Sequence, residues 1–140
     1  MDIAYQNGIS VEDYHALRAA VGWEPLCDEQ ARRSLEHTAF LVRCRDGGTT
    51  AGMARLVWDG GYVAYLSDVM VQPEYQGRGI GSELVRRCVE FLRAQLRPGW
   101  RIKIFLVAAE GKEPFYEQFG FRTRPNPGNG AGMDLVLYGE

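Results

Sequence analysis

The sequence predicts an α/β domain whose sheet mixes antiparallel and parallel strands. Three observations lead there. Tyr62–Val71 and Lys103–Val107 are rich in β-branched and aromatic residues, which suit a pleated, buried surface. Between them Ile80, Leu84, Cys88, Leu92 and Leu96 recur at helical spacing with Val85 and Val89 beside them, while Glu83, Arg86, Arg87, Glu90 and Arg93 lie mostly outside that stripe. A helix joining two strands of one sheet makes them parallel. Upstream, the tight turns Asp46-Gly47-Gly48 and Asp59-Gly60-Gly61 join strands that must run antiparallel.

In chain order, Ile3–Gln6 is a short strand ended by Asn7-Gly8. Ser10 is placed as an N-cap, with Asp13 near the position of a capping-box acid. The helix Val11–Val21 presents Val11, Tyr14, Leu17 and Val21 on one face and stops at Gly22. After the loop Trp23-Glu24-Pro25-Leu26-Cys27, Asp28 is expected to cap a helix over Glu29–His37, with Leu35 its main apolar contribution. Ala39–Arg45, Thr50–Trp58 and Tyr62–Val71 form a meander, and Pro73 ends the third strand because proline has no N–H for a ladder. The long helix begins near Arg78 or Gly79 and is broken by Pro98-Gly99. Lys103–Val107 reads as a fully buried strand. Glu113–Phe119 is a short helix with Pro114 in its first turn. A strand opens at Phe121, Arg124–Gly132 is a loop, and Met133–Tyr138 is the last strand. The expectation is about seven strands and four helices in a single domain over residues 1–140.

A chain of 140 residues can bury about two-thirds of its unfolded surface. No apolar run approaches the ~20 residues that cross a bilayer, so no membrane is expected as a partner. Met1-Asp2-Ile3-Ala4-Tyr5-Gln6 lacks a basic and then apolar leader, and a cytoplasmic location is expected. Cys27, Cys44 and Cys88 are widely spaced and odd in number, which reads as reduced thiols. His15 and His37 lie far apart with no companion cysteine motif, so no metal site is expected. A net charge of −2 argues against nucleic acid, whose binding rests on clustered Lys and Arg. The basic residues Arg86, Arg87 and Arg93 are interleaved with Glu83 and Glu90 as on a solvated helix face.

The chemistry concentrates at Gln76-Gly77-Arg78-Gly79-Ile80-Gly81-Ser82, between the third strand of the meander and the long helix. Glycine permits positive φ and lets backbone approach a ligand. The first N–H groups of a helix have no intrahelical acceptor and sit at the positive end of its dipole, which suits a phosphate. Arg78 can add a charged fork to the same anion. A purely structural turn is the alternative. A dinucleotide fingerprint would need glycine where Ser82 stands, and the Gly-Lys-Ser/Thr of a P-loop is missing.

The pattern that fits is Gln-x-x-Gly-x-Gly at Gln76, Gly79 and Gly81, preceded by Asp68-Val69-Met70-Val71-Gln72-Pro73-Glu74-Tyr75. It resembles the acyl-CoA signature of the GNAT N-acetyltransferase superfamily. Glu113-Pro114-Phe115-Tyr116-Glu117-Gln118-Phe119-Gly120-Phe121 resembles that superfamily's Phe-Tyr-x-x-x-Gly-Phe segment, and the likeness covers nearly the whole chain. The resemblance implies a GNAT fold whose central parallel strands splay apart, and acetyl-CoA as the acyl donor. It implies cofactor contacts from Val69, Met70, Val71, the run Gln76, Gly77, Arg78, Gly79, Ile80, Gly81 and Ser82, and Phe115 and Tyr116. It makes the Val69 N–H the donor to the thioester oxygen and Tyr116 the general acid for the departing thiolate. The acceptor would be a primary amine of a small molecule, attacking directly, with Trp23, Glu24, Tyr65, Ser67 and Cys27 as substrate-side candidates. The base stays open among Tyr65, Glu24, Asp68, Glu110 and a water chain. Cys27 or Cys88 as an acyl-accepting nucleophile would need a neighbouring base, and Cys88 falls on the buried stripe. Many members carry a cofactor-contacting asparagine where this chain has Ala109. Protein or peptide acetylation and a non-catalytic CoA-binding module are the rival functions, and a homodimer is left open.

Overall fold

The computed structural model describes residues 1–139. The chain divides into two compact units, Met1–Leu106 and a second that begins at Val107. In the first, strands β1 (Ile3–Asn7), β2 (Phe40–Asp46), β3 (Thr49–Trp58), β4 (Val63–Val71) and β5 (Lys103–Phe105) form one sheet in that order. The first four are antiparallel neighbours, and β5 runs parallel to β4. That is the mixed sheet expected from the sequence.

Helices α1 (Val11–Ala20) and α2 (Asp28–Glu36) bring Tyr14, Leu17 and Ala31 onto the sheet face that carries Leu41, Met53 and Met70. Adjacent strand residues point to opposite faces. Phe40 therefore faces the other way, where Phe91 of α3 (Ile80–Gln95) stacks on it at 4.6 Å. Ile80, Leu84, Val85, Cys88 and Leu92 are the buried stripe of α3, as their spacing predicts. Leu96 is the helix C-cap and 43% exposed, so the stripe ends one turn earlier than expected. Fully burying a leucine stabilises by about 1.5–3 kcal/mol, and this seam holds the helix against three strands.

Local chemistry sets the helix ends. The Asp13 N–H donates to Ser10 Oγ at 3.0 Å, the expected cap of α1. At α2 the cap is Cys27, with extended backbone and no side-chain hydrogen bond, and Asp28 is the first helical residue. Its carboxylate is drawn away to His15 Nε2, 2.8 Å distant, which corrects the cap expected from sequence. Ala31, rather than Leu35, is the buried residue of this helix, and Leu35 is half-buried against the same core.

The second unit holds α4 (Glu113–Glu117), with Phe115 edge-on to Phe119 at 5.4 Å and Tyr116 edge-on to Phe121 at 6.2 Å. Asn126 and Asn129 exchange backbone hydrogen bonds across Pro127-Gly128, where Gly128 takes a positive φ of 85° that closes the turn. The strands expected from Phe121 and over Met133–Tyr138 do not form, so the described residues hold five strands and not about seven. The strand expected to be fully buried over Lys103–Val107 is shorter, Lys103–Phe105, and none of its three residues is buried. Its ladder stops at Phe105, which is 37% exposed, and Val107 is 68% exposed. A strand needs a neighbouring ladder as well as a suitable composition, and these segments have none.

Candidate active site

The glycine-rich turn follows a 3₁₀ turn, Pro73–Tyr75, that ends β4. Tyr75 donates its phenol to Asp46 Oδ2 at 2.7 Å, and the Asp2 N–H donates to Asp46 Oδ1 at 2.8 Å. Those two bonds hold the Asp46 carboxyl below its usual range, and the one from Tyr75 fastens the turn to the β2–β3 hairpin. Gln76 Nε2 donates back to the Val71 carbonyl at 3.0 Å. Gly77 and Gly79 have φ of 78° and 81°, conformations that L side chains rarely adopt. Gly79 is the left-handed N-cap of α3, with no side-chain cap.

Among the described residues, no amide from Gly77 through Ser82 donates to an acceptor of the protein; the first N–H of α3 to do so is that of Glu83, to Gly79 O at 3.1 Å. A Cβ built on Gly77 or Gly79 meets nothing within 4 Å. The turn thus offers open space lined by unclaimed donors at a helix's positive end, with the exposed Arg78 guanidinium 5.6 Å from the Tyr75 ring. These features fit a diphosphate.

Beside the turn, β4 changes neighbours. Its parallel pairing with β5 covers Val63, Ala64 and Tyr65 only, so within the first unit no strand flanks that edge from Leu66 to Val71. Its register with β3 slips between Met53 and Arg55, leaving Asp68 and Val69 without a register partner there. Asp68 sits in this bulge at a φ of 53°, the one positive value on a non-glycine among the described residues. The parallel ladder to β5 thus ends three residues short of Val69–Val71, the amide run expected to meet the cofactor.

A polar network secures the bulge. Tyr14 Oη and Arg55 Nε each donate to Asp68 Oδ2 at 2.6 Å, and Arg18 Nη1 lies 3.9 Å from Oδ1. The Asp68 side chain is 8% exposed, and those of Arg18 and Arg55 are 13% exposed. Burial, and then the bond to Asp68, push the Tyr14 phenol up from its ordinary value. Arg55 continues to Thr38 Oγ1 at 3.1 Å. Arg18 donates through Nε and Nη2 to the Glu24 carbonyl, at 3.1 and 2.6 Å, and lies 5.5 Å from the Trp23 ring. One arginine so ties the α1–α2 loop to the β4 bulge.

Of the substrate-side candidates, Trp23 is 38% exposed on that loop and Tyr65 38% exposed on β4, with Ser67 half-buried two residues on. Glu24 is exposed next to Trp23. Asp68 was one candidate base, but its carboxylate already receives two short hydrogen bonds and faces two guanidinium groups. It acts as a clamp. Cys88 is fully buried, and burial alone pushes its thiol up to about 12, so it supplies no thiolate nucleophile. Cys27 is exposed at the start of α2. Phe115 and Tyr116 lie on α4 of the second unit with rings 4.9 Å apart, and Glu110 precedes that helix.

The sequence reading did not reach Tyr14, Arg18 and Arg55 as parts of the site. Part of their signal was present: Arg55 and Asp68 are the only charged residues of two largely apolar strand runs, where ions persist only when paired, whereas Arg18 lies on a helix with other polar residues.

Residues 9–121 match the model of the acetyltransferase (GNAT) family. The chain is 32% identical over 124 residues to serotonin N-acetyltransferase 2, chloroplastic, of Oryza sativa subsp. japonica, covering 86% of this chain and 60% of that protein. It is 36% identical over 106 residues to glucosamine 6-phosphate N-acetyltransferase of Trypanosoma brucei brucei, covering 76% of this chain and 63% of that protein. It thus spans less than two-thirds of the length of either relative. A crystal structure of a probable acetyltransferase of unknown function from meticillin-resistant Staphylococcus aureus superposes with a TM-score of 0.86 at 27% identity, over 97% of this chain and 99% of that one. With a family match across most of its length, the chain belongs to the GNAT acetyltransferase family.

Proposed function

We propose that the protein is an acetyl-CoA-dependent N-acetyltransferase acting on a primary amine of a small molecule, in the reducing setting of the cytoplasm. The observation that carries the reading is the set of amides from Gly77 to Ser82, unclaimed among the described residues, next to a β4 edge that has no strand beside it beyond Tyr65 within the first unit. A hydrogen bond to a charged group contributes about 1.5–3 kcal/mol, so several such donors make a strong diphosphate site. The amide groups of the donor's pantetheine arm suit the Val69–Val71 backbone, in the manner of an added strand. Acetyl-CoA supplies an activated acyl group as a thioester.

The protein's part is to bind, orient and manage protons. The Val69 N–H is the proposed donor to the carbonyl oxygen where negative charge develops, a contact typically worth about 3 kcal/mol. Tyr116 is the proposed general acid; its support is the match of Phe115, Tyr116, Gly120 and Phe121 to the family segment. A phenol of pKa about 10 is a weaker acid than a thiol of about 8.5, so its proton must move while the C–S bond breaks. The amine must arrive neutral. With an alkylamine pKa of about 10.4 the rate should rise with pH above neutrality. The α1–α2 loop, held by Arg18, supplies Trp23 and Glu24 to the acceptor side. The two named relatives differ in acceptor, one named for serotonin and one for an amino sugar phosphate, and this chain's acceptor is proposed only as a class.

The test is thiol release from acetyl-CoA with a panel of amines, amino acids, polyamines and aminoglycosides, beside CoA titration by calorimetry. Gly79→Val meets no protein atom at its Cβ but strains the turn, because a φ of 81° disfavours a β-branched residue, and it is expected to lose CoA binding at least about tenfold. Tyr116→Phe should bind CoA as the wild type does while kcat drops by about tenfold or more. Unchanged titration by Gly79→Val would reject the diphosphate site. Unchanged kcat in Tyr116→Phe would reject the acid, and no release with any amine would reject turnover.

A further inference from the structure

Asp68 takes a left-handed backbone inside β4, where a regular strand would be extended. Strain of this kind persists only where the surroundings over-determine it, and it gathers at sites whose geometry serves function. Here the surroundings are side chains from α1 and β3. Tyr14 Oη and Arg55 Nε both donate to Asp68 Oδ2, and Arg18 approaches Oδ1 from one turn further along α1. Arg55 is itself held by Thr38 Oγ1, just beyond α2. Apolar residues of the same volume are often as stabilising as a buried ion pair, so stability alone does not account for this cluster. What the clamp fixes is a direction. The dihedrals of Asp68 set the plane of the peptide that joins it to Val69, and with it the heading of the Val69 N–H. The chain is pinned independently on the far side. Met70 is in register with Met53, and a Cβ on Gly52 would stand 2.6 Å from the Met70 carbonyl oxygen, so β3 and β4 press together there. The Gln72 N–H then donates to the Ala51 carbonyl at 2.8 Å. Val69 lies between these two anchors, without a register partner on β3.

We infer that Asp68 is a positioning residue: gripped by Tyr14 and Arg55, it aims the Val69 N–H at the carbonyl oxygen of the acyl donor. The inference rests on the role proposed above for Val69 and adds the side chains that aim it. Val69 meets the donor, while Asp68, Tyr14 and Arg55 act through it. A donor fixed before the thioester arrives needs no reorganisation as negative charge grows on that oxygen, which is where such a group gains its advantage over water. The arrangement also explains why an aspartate stands here. Its short side chain tolerates the left-handed region, and its carboxylate can accept from two donors at once.

The test uses the full chain, calorimetry and two inert donor analogues, so it needs no acceptor. In acetyl-dethia-coenzyme A a methylene replaces the sulfur, which keeps the carbonyl in place and prevents transfer. S-ethyl-coenzyme A has the same length without the oxygen. The wild type should bind the ketone at least about fivefold more tightly than the thioether. Tyr14→Phe, which removes one bond to the carboxylate, should keep a cooperative melt and bind the thioether within about twofold of the wild type, while its preference for the ketone falls by at least about half. Asp68→Ala should abolish the preference. Asp68→Asn, which keeps the backbone and one acceptor for Arg55, should stand between the wild type and alanine. A Tyr14→Phe chain that keeps the full preference overturns the inference, and so does a wild type that binds the two analogues alike. In both of those outcomes the diphosphate site stands, because the shared coenzyme A portion still binds. A wild type that binds neither analogue nor coenzyme A itself rejects the diphosphate site, and the inference falls with it.

Discussion

Asp68 illustrates how one residue carries two separable costs. Its backbone lies at a φ of 53°, and its carboxylate, 8% exposed, holds Tyr14 Oη and Arg55 Nε at 2.6 Å. Asparagine tolerates the left-handed region nearly as well as aspartate, and alanine does not. Asp68→Asn therefore isolates the loss of charge, which leaves Arg55 and the more distant Arg18 unpaired in a largely buried setting; it should destabilise by about 3 kcal/mol. Asp68→Ala adds backbone strain and should cost about 1 kcal/mol more. Tyr14→Phe removes one donor and should cost about 1–2 kcal/mol. Urea denaturation of the three variants checks the order. Equal losses for Asn and Ala would mean that the bulge stores no strain.

At the level of elements, α3 depends on a close approach and on a charge cluster. A Cβ on Gly52 of β3 would stand 2.6 Å from the Met70 carbonyl oxygen and 3.3 Å from a Leu84 methyl, so Gly52→Ala must push β4 or α3 outward. Overpacking of this kind costs about 1–3 kcal/mol, readable in the same denaturation experiment, while Gly48→Ala meets open space and should be near neutral. On the outer face Glu83 is bonded to Arg86 and, at 2.7 Å, to Arg87. The bond to Arg86, then that to Arg87, holds its carboxyl down at about 2. A depressed acid stabilises the fold above its unfolded value, and that contribution disappears as pH falls through the folded one. Thermal melts should therefore show a loss between an unfolded glutamate's pKa of about 4.3 and about 2 that Glu83→Gln lacks. Parallel profiles for the two proteins would refute this. The helix itself was legible from its apolar spacing, and so was the glycine turn before it. The clamp was not. Spacing shows which face is buried, but the pairing of Tyr14 with Asp68, 54 residues away, appears only after the sheet is assembled.

For the molecule as a whole, the same distinction explains why five strands formed among the described residues where about seven were expected. β1 to β4 are joined by short connections or packed by helices, so composition and pairing coincide. Phe121 onward and Met133–Tyr138 have strand composition, but composition does not specify whose edge they join. The glycine turn is the place where global stability and ligand chemistry meet, because its amides are unclaimed in the folded chain and do not form a common site in the unfolded one. A ligand that binds only the native state stabilises it by RT ln(1 + [L]/Kd), about 2.7 kcal/mol at a hundredfold excess over Kd. Coenzyme A at that excess should raise Tm by several degrees, and further additions should raise it logarithmically. Gly79→Val should melt with little response to the same additions, and Tyr116→Phe should respond as the wild type does. Free adenine, which lacks the diphosphate, should leave Tm unchanged. If the wild-type midpoint stays fixed across the titration, or adenine raises it as far as coenzyme A does, the amides of Gly77–Ser82 are not what holds the donor.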